Sequence, residues 1–179
     1  MTTSAVIKAP DGSASAPAYT NTGDSDGGMW FPAANEIAFS TGGTERIRVD
    51  NNGDIQFYEN TGTTAKLTWD ASAESLNFAD NGKAQFGASN DLQIYHDGSY
   101  SWIKDAGTGS LIVAATNLSL QNAAATKVYA NFNDGGSSTI HYDGSAKLAT
   151  TSTGINVTGT VTATGGNSGQ WNTAYTYSQ

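Results

Sequence analysis

Apolar and polar residues alternate one by one along much of this chain. Within residues 45–58, Ile47 and Val49 are separated by one arginine, and the turn sequence DNNGD leads on to Ile55 and Phe57. Alternation with a period of two places apolar side chains on one face of a β-strand. Asn and Gly tolerate the positive φ angles that tight hairpin turns need. The pattern therefore predicts a β-hairpin over residues 45–58.

The alternating pattern is repeated. It returns in AKLTWDASAESLNF, TKVYANFNDGGSSTIHYDG and AKLATTSTGINVTG, and also in DLQIYHDGSYSWI and SLIVAATNLSL. Apolar pairs with one polar residue between them recur at positions 55/57, 76/78, 92/94, 118/120, 140/142 and 155/157. A spacing of about 15 to 25 residues is typical of arrays of repeated units. Because no stretch sustains a helical spacing, we predict an all-β chain of repeated short antiparallel hairpins.

Both histidines of the chain lie beside an Asp-Gly pair, in the sequences YHDG and HYDG. Asp-Gly between alternating segments is a strong signal for a hairpin turn. His96 directly precedes its Asp, whereas Tyr142 separates His141 from Asp143, and a shift of one residue sends a side chain to the opposite sheet face. We therefore interpret both histidines as turn residues rather than as metal ligands or catalytic groups.

Each predicted strand supplies only two or three apolar side chains. An isolated hairpin of this kind is marginal in water, and a sheet needs further strands and a cover for its apolar face. Since no helix is predicted to cover the strands, we expect copies of the chain to cover one another in a closed, symmetric homo-oligomer. Three copies around one axis would form an elongated, homotrimeric β-prism or fibre.

The charge and composition of the chain exclude several classes of protein. The formal net charge is -8, and the 8 Lys and Arg residues are isolated from one another. Nucleic-acid binders carry a basic stripe, so we expect no nucleic-acid partner. The absence of Cys excludes disulfides and thiolate metal sites, and no apolar run is long enough to insert into a membrane. The segment MTTSAVIKAPDGSASAP lacks the pattern of a signal peptide.

Candidate chemical sites are few. In GDSDGG, Asp24 and Asp26 precede glycine as in calcium loops, but the remaining ligands of an EF-hand do not follow at the required spacing. The candidates for paired catalytic carboxylates, Asp97, Asp105 and Asp143, all neighbour small residues in predicted turns. No nucleophile elbow is present. We predict no metal site, no cofactor and no enzymatic activity, with a polysaccharide depolymerase as the less favoured alternative.

Aromatic residues concentrate in MWFP, YHDGSYSW and WNTAYTY. Exposed aromatic side chains stack on sugars and anchor protein interfaces. The candidate partner or glycan contacts are Trp30, Tyr95, Tyr100, Trp102, Trp171, Tyr175 and Tyr177. The alternative for Trp30, Trp69 and Trp102 is that they fill the shared core. The three aromatics after residue 170 lie in a polar tail, where docking onto a partner and simple packing are both open.

Several segments resemble known virion proteins. Residues 12–55 combine a Gly/Ser/Ala/Pro-rich start, the turn GDSDGG, the strand STGGTERIRVD and an Asn-Gly-type turn. A second segment, DLQIYHDGSYSWIKDAGTGSLIV, covers residues 91–113 and is similar to another module of the same proteins. The segments GINVTGTVTATG and QWNTAY are similar to their distal repeats. Together they resemble bacteriophage tail-fibre and related virion structural proteins, particularly those of marine and cyanobacterial phages. The resemblance implies homotrimeric β-structure, a place in the virion and, commonly, a role in host attachment.

We therefore predict a non-enzymatic, fibre-type phage structural protein that supports attachment to the host cell surface. The predicted segments are an N-terminal docking segment (1–22), a β-hairpin module (23–90), a β-hairpin repeat module (91–164) and a C-terminal joint with an aromatic tail (165–179). Expected partners are further copies of the chain, other phage tail or capsid proteins, and host surface glycans. A capsid decoration protein, head fibre or spike remains an alternative, as does a bacterial surface adhesin built from β-repeats.

Overall fold

The computed structural model describes residues 8–177, except for the side chains of Ala163, Asn167, Ser168, Ala174, Tyr175 and Tyr177. The chain divides into two compact units, the first ending at Leu111 and the second beginning at Ile112. Within the described residues, the first unit holds twelve strands, and the second holds seven strands and one helix. The prediction of an all-β chain of short antiparallel strands is confirmed. The segment boundaries drawn from the sequence stay predictions.

The first unit contains a seven-stranded antiparallel meander. It is preceded by a small pair, β1 (Gly12–Ser13) and β2 (Ala16–Pro17). The strands of the meander, each paired with the next, are β3 (Tyr19–Asn21), β4 (Asp24–Trp30), β5 (Ile37–Thr41), β6 (Thr44–Val49), β7 (Ile55–Tyr58), β8 (Ala65–Asp70) and β9 (Ser75–Phe78). The hairpin predicted over residues 45–58 is β6–β7, and the one predicted in AKLTWDASAESLNF is β8–β9.

The turn between β6 and β7 follows the chemistry that the sequence predicts. The Oδ1 atom of Asp50 accepts the backbone N–H groups of Asn52 (2.9 Å) and Asp54 (3.1 Å). Gly53 has a φ of 88°, which side-chain-bearing residues rarely adopt. The Asp side chain and the glycine together close the loop, so the apolar residues on either side of it fall into register.

Two ladders of apolar side chains cross the seven-stranded sheet on one face. The first ladder comprises Tyr19, Met29, Phe39, Ile47, Phe57, Leu67 and Phe78, and the second comprises Ile37, Val49, Ile55, Trp69 and Leu76. These twelve residues form the apolar face of the sheet. Seven of them are exposed, up to 53% for Leu76, and the other five are half-buried. The described part of the chain therefore leaves the apolar face largely open.

The buried residues of this sheet lie on the opposite face. Ala38 is fully buried, and Ser40 and Glu45 are nearly so. Arg48 donates from Nε and Nη2 to both Glu45 carboxylate oxygens, at 2.7 and 2.8 Å, and from Nη1 to Glu36 at 3.3 Å. The bonds to Glu45 raise the pKa of Arg48, as expected for a bidentate charged pair. The sheet thus carries its charged network on the more buried side and its apolar ladders on the more exposed side.

A three-stranded antiparallel sheet completes the first unit. Its strands are β10 (Lys83–Phe86), β11 (Leu92–His96) and β12 (Ser101–Asp105), paired in chain order. The hairpin predicted around Asp97 and Gly98 is β11–β12, and Gly98 has a φ of 96°. Sequence alternation did not predict β10, because one of its two alternating apolar positions is the small residue Ala84.

The second unit contains a five-stranded antiparallel meander. Its strands are β13 (Asn117–Gln121), β14 (Val128–Asn133), β15 (Thr139–Tyr142), β16 (Ser145–Thr151) and β17 (Gly154–Val157). A short pair, β18 (Thr162–Ala163) and β19 (Gly166–Asn167), leads into the helix α1 (Ser168–Tyr177). The hairpins predicted in TKVYANFNDGGSSTIHYDG and AKLATTSTGINVTG are confirmed as β14–β15 and β16–β17.

Two segments differ from the expectation. In SLIVAATNLSL the strand begins only at Asn117, because its three large apolar residues before that point are consecutive rather than alternating. The helix α1 occupies part of the predicted joint and tail. The hydroxyls of Thr173 and Thr176 donate to the carbonyls of Gly169 and Asn172, a local bonding pattern that a search for period-two alternation does not detect.

Candidate functional site

Three of the seven aromatic residues singled out from the sequence meet on the three-stranded sheet. Tyr95 and Trp102 are cross-strand partners. Their rings stack with centroids 6.2 Å apart and planes 13° apart. Tyr100, from the turn between the strands, meets Trp102 edge-on at 6.4 Å and 76°. Both geometries are favoured for aromatic pairs, so the three rings form one cluster.

The local sequence explains why these rings lie on one face. In LQIYH and SWIKD, alternation puts Tyr95 and Trp102 on the face opposite Ile94 and Ile103, and the register pairs Ile94 with Ile103. The sheet therefore has two unlike faces. Ile94 and Ile103 lie on one face together with Phe86, and the stacked rings of Tyr95 and Trp102 lie on the other.

The Asp97 carboxylate fixes the orientation of the tryptophan. Its Oδ2 accepts the indole N–H of Trp102 at 2.7 Å, and its Oδ1 accepts the backbone N–H groups of Tyr100 (2.7 Å) and Ser99 (2.9 Å). These three hydrogen bonds hold the pKa of Asp97 below its ordinary value. The bond from the Tyr100 N–H has the largest effect, followed by the bond from the Trp102 indole and the bond from the Ser99 N–H. The charged form of Asp97 thus couples the turn to the Trp102 ring.

Polar side chains frame the aromatic rings on the same face. Lys83 Nζ lies 4.5 Å from the centroid of the Tyr95 ring, a cation–π contact, and donates to Gln93 Oε1 at 3.0 Å. The register pairs Gln93 with Lys104 on one side and with Gln85 on the other. The six residues on this side of the sheet, which we name the aromatic face, are Lys83, Gln85, Gln93, Tyr95, Trp102 and Lys104.

Sequence reasoning found the aromatic residues of this site and missed the polar ones. Alternation identified β11 and β12, but Lys83 and Gln85 belong to β10, which has a weak apolar pattern. Had KAQF been recognised as a strand, the period of two would have placed its Lys and Gln on one face. The pairing of Gln93 with Lys104 follows from the predicted hairpin itself, since Asp97-Gly98 fixes the register.

The other candidate contacts lie elsewhere. Trp30 ends β4 as the partner of Ala38 and is half-buried; its indole N–H is buried without a hydrogen-bond partner in the described part of the chain. Trp171 lies on α1 and is 51% exposed. The side chains of Tyr175 and Tyr177 are outside the described residues. Hence only Tyr95, Tyr100 and Trp102 of the original set form a common site.

Both histidines lie in strands that flank the predicted turns, not in the turns themselves. His96 ends β11, and its Nδ1 lies 3.2 Å from the Ser101 hydroxyl of the facing strand. The ring of His141 bridges its own hairpin, with Nδ1 3.1 Å from the Gly144 carbonyl oxygen and Nε2 2.9 Å from the Thr139 hydroxyl. Both rings bond within their own hairpins, next to the turns that the sequence predicts.

The carboxylates considered for metal binding or catalysis bond mainly to their own turns. Asp24 Oδ1 faces the N–H groups of Asp26 (3.3 Å) and Gly27 (3.1 Å), and a hydrogen bond with Asp24 raises the pKa of Asp26. Asp105 Oδ1 accepts the N–H of Gly107 at 2.9 Å, and Asp143 pairs with Lys127. Among residues 8–177, no three His, Asp or Glu side chains form a group that could hold a metal ion.

One carboxylate that the sequence did not single out forms a tight local nest. Glu59 accepts the backbone N–H groups of Thr61 (2.6 Å), Thr63 (2.9 Å) and Thr64 (3.1 Å), together with the Thr61 hydroxyl at 2.5 Å. These bonds, led by that of the Thr61 hydroxyl, hold the pKa of Glu59 far below its ordinary value. Every donor comes from the same loop, so Glu59 orders the β7–β8 connection.

Comparison with known proteins adds no family. No protein-family model, curated protein or solved structure matches this chain. The resemblance to phage fibre proteins consequently rests on the sequence motifs described above. Within residues 8–177, no helix combines the length and apolar character needed to span a membrane.

Proposed function

We propose that this chain is a non-enzymatic, fibre-type virion structural protein that supports host attachment and acts as a homotrimer. The open apolar face of the seven-stranded sheet is the observation that carries the proposal. The resemblance of residues 12–55 and 91–113 to phage fibre modules supports the place in the virion. In the assembly, copies of the chain would bury their apolar faces together, giving the elongated β-prism or fibre expected from the sequence.

The accessible surface of the chain supports association. Two separate globules of about 11 and 7 kDa, the sizes of the two units, would together expose about 10,000 Å². The chain exposes 13036 Å², which is about 3,000 Å² more than that expectation. Obligate interfaces bury about 1,000–2,500 Å² on each partner. An excess of that size is enough to form one or more such interfaces with other copies of the chain, as the proposed association requires.

The charge distribution also favours contact between copies through this face. Two chains with a net charge of -8 repel each other, and like charges pressed together at an interface are costly. The twelve residues of the apolar face include no charged side chain. The Arg48, Glu45 and Glu36 network lies on the other side of the sheet. Copies can therefore meet through the apolar face without bringing carboxylates together.

A lysine on the apolar face tests the proposal. Leu76→Lys puts a charge in the second ladder at a position that is 53% exposed in the single chain. The fold of the single chain should therefore tolerate the lysine, whereas burying its charge between two copies should be costly and should prevent association. Asn77→Lys, exposed on the other face of the same strand, is the matched control. By light scattering at micromolar concentration, the native chain and the Asn77→Lys variant should have the trimer mass and Leu76→Lys the monomer mass. A monomeric native chain would refute self-association.

The location within the particle separates the proposal from its alternative. A fibre-type protein and a capsid decoration protein can share the same all-β chain, and they differ in where they bind. Gold labelling of a tagged chain in intact phage particles should mark the tail. Labelling over the capsid would favour decoration or a head fibre, and the absence of label from any particle would reject the virion role.

A further inference from the structure

We propose that the aromatic face binds an acidic polysaccharide, one in which a carboxylate-bearing sugar alternates with neutral sugars. The biological meaning of such a site rests on the proposed role in host attachment, while the binding itself can be measured on the chain alone. Two independent features carry the inference: an exposed, fixed aromatic cluster, and two lysines on the same face that form no salt bridge within residues 8–177.

The aromatic cluster suits a sugar ring. Trp102 is 42% exposed and Tyr100 is 69% exposed, so both keep ring surface for a ligand. The negative π-face of an aromatic ring attracts the weakly positive C–H groups on the flat side of a pyranose. The bond to Asp97 and the stack on Tyr95 hold Trp102 in one orientation before any ligand arrives. Such pre-organisation lowers the entropic cost of binding.

The six residues of the aromatic face form a two-by-three array across the sheet. One row runs Lys83, Tyr95, Trp102 and the other runs Gln85, Gln93, Lys104. The two lysines therefore stand at diagonal corners, with the rings and amides between them. Glutamine amides offer both donors and acceptors for hydroxyl groups. The array combines an apolar platform, amide groups and separated cations on one surface.

The lysines identify the charge of the ligand. The chain has 8 basic residues and a net charge of -8, yet two of the basic residues fall on this one small face. No strand position of the face carries a carboxylate, and the Asp97 carboxylate of the adjoining turn is bonded to three N–H donors. Among residues 8–177, Lys83 contacts the neutral Gln93 amide and Tyr95 ring, and neither Lys83 nor Lys104 forms a salt bridge. An acidic sugar supplies the missing partner, since its carboxylate pairs with an ammonium while its ring packs on an aromatic side chain.

Other ligands fit this face less well. A nucleic-acid strand carries a phosphate on every nucleotide and follows a continuous basic groove, which the dispersed lysines of this chain do not provide. A second copy of the chain fits better on the opposite side of the same sheet, where Phe86, Ile94 and Ile103 are exposed and uncharged. The aromatic face is thus left free when copies associate through that side or through the apolar face of the seven-stranded sheet.

The experiment is a calorimetric titration of the full chain with a hyaluronan octasaccharide, in which a carboxylate-bearing sugar alternates with a neutral one. We expect binding that weakens as NaCl rises from about 50 to about 300 mM, because salt screens exposed charges. A neutral chitin oligosaccharide should bind at least about fivefold more weakly, since it lacks a carboxylate for the lysines.

Matched variants test the residues. Lys104→Gln removes an exposed charge that forms no salt bridge within residues 8–177 and should weaken binding about fivefold, whereas Lys147→Gln, at an exposed lysine of β16, should not. Trp102→Ala should weaken binding at least about tenfold, whereas Trp171→Ala should leave it unchanged. Tyr100→Ala, at a more exposed position, provides a second aromatic variant that spares the indole–Asp97 bond.

The contrary results are equally distinct. Absence of binding, equal binding of the neutral oligosaccharide, tighter binding of an oligothymidylate, or equal losses in the matched controls would each overturn the site. The mass of the same sample, measured by light scattering, separates this failure from failure of the proposed function. If the chain is a trimer and does not bind the oligosaccharide, only the saccharide site is refuted. If the chain is a monomer and binds the oligosaccharide, only the proposed assembly is refuted.

Discussion

At the scale of single residues, Asp97 is the group that positions the candidate site. A sequence reader sees it as a turn residue beside Gly98, and it does accept two backbone N–H groups of that turn. Its second carboxylate oxygen also holds the Trp102 indole. One side chain thus serves both the hairpin and the orientation of the aromatic ring.

Protonation of Asp97 should release the Trp102 indole. Hydrogen bonds that only the folded chain makes lower the pKa of Asp97 in the folded state. The stability that these bonds contribute is therefore fully present above the unfolded-state pKa of about 3.9, and it is lost as the pH falls through the lower folded-state pKa. In an NMR titration, the indole N–H resonance of Trp102 should shift with a midpoint below the ordinary pKa of an aspartate. The Asp97→Asn variant should lack this step. A midpoint at or above the ordinary value would contradict the assigned bonds.

At the scale of elements, the tight hairpins depend on backbone conformations that few residues adopt. In the β15–β16 turn, Asp143 and Gly144 have φ angles of 49° and 79°. Two consecutive positive φ angles define the hairpin turn that matches strand twist. Alternating strands and an Asp-Gly pair were therefore enough to predict this hairpin.

Gly144→Ala should destabilise the second unit by about 1 kcal/mol. A Cβ at this position would make only an ordinary contact, 3.9 Å from Lys127 Cγ, so the cost arises from the positive φ alone. Gly109→Ala is the control, because that glycine has no positive φ and an added Cβ meets no atom within 4 Å. Urea denaturation should show a lower midpoint for Gly144→Ala only. Equal midpoints for the two variants would exclude the backbone explanation.

At the scale of the whole molecule, attraction through apolar faces has to exceed electrostatic repulsion. A trimer would carry three times -8, or -24, formal charges, and these repel within the screening length of about 8 Å at physiological salt. In the proposed trimer, the uncharged apolar face would let copies meet despite that repulsion. The two lysines of the aromatic face would attract the proposed acidic polysaccharide locally, although the chain as a whole is acidic.

If association and folding are coupled, the melting temperature should depend on concentration. A hundredfold rise in protein concentration should raise Tm by about 5 °C for a chain of this size, by mass action on the trimer. Differential scanning calorimetry at several protein concentrations measures this shift in Tm. The Leu76→Lys variant should show a flat Tm, with Asn77→Lys behaving as the native chain. A constant Tm in the native protein would mean that single chains fold alone.

Local patterns in the sequence predicted most of the strands for a physical reason. Alternation acts over a few residues, and turn chemistry depends on the φ preferences of Asp, Asn and Gly, so Ile47 to Phe57 and Leu92 to Ile103 could be read as hairpins directly. The aromatic candidates Tyr95, Tyr100 and Trp102 came from the same stretch. The helix α1 was not predicted because its sequence has no apolar period, and strand β10 was not predicted because only one of its alternating apolar residues, Phe86, is large.

What the sequence by itself determined is the all-β class, the position of the main hairpins and the presence of aromatic side chains near the Asp97 turn, because each depends on neighbours in the chain. The tertiary structure alone decided which side of each sheet is covered. It buried Ala38 and Glu45, left Leu76 and its ladder open, and brought Lys83 from another strand beside Tyr95. Pairing between strands is a non-local property, and no local pattern specifies which face a fold leaves exposed.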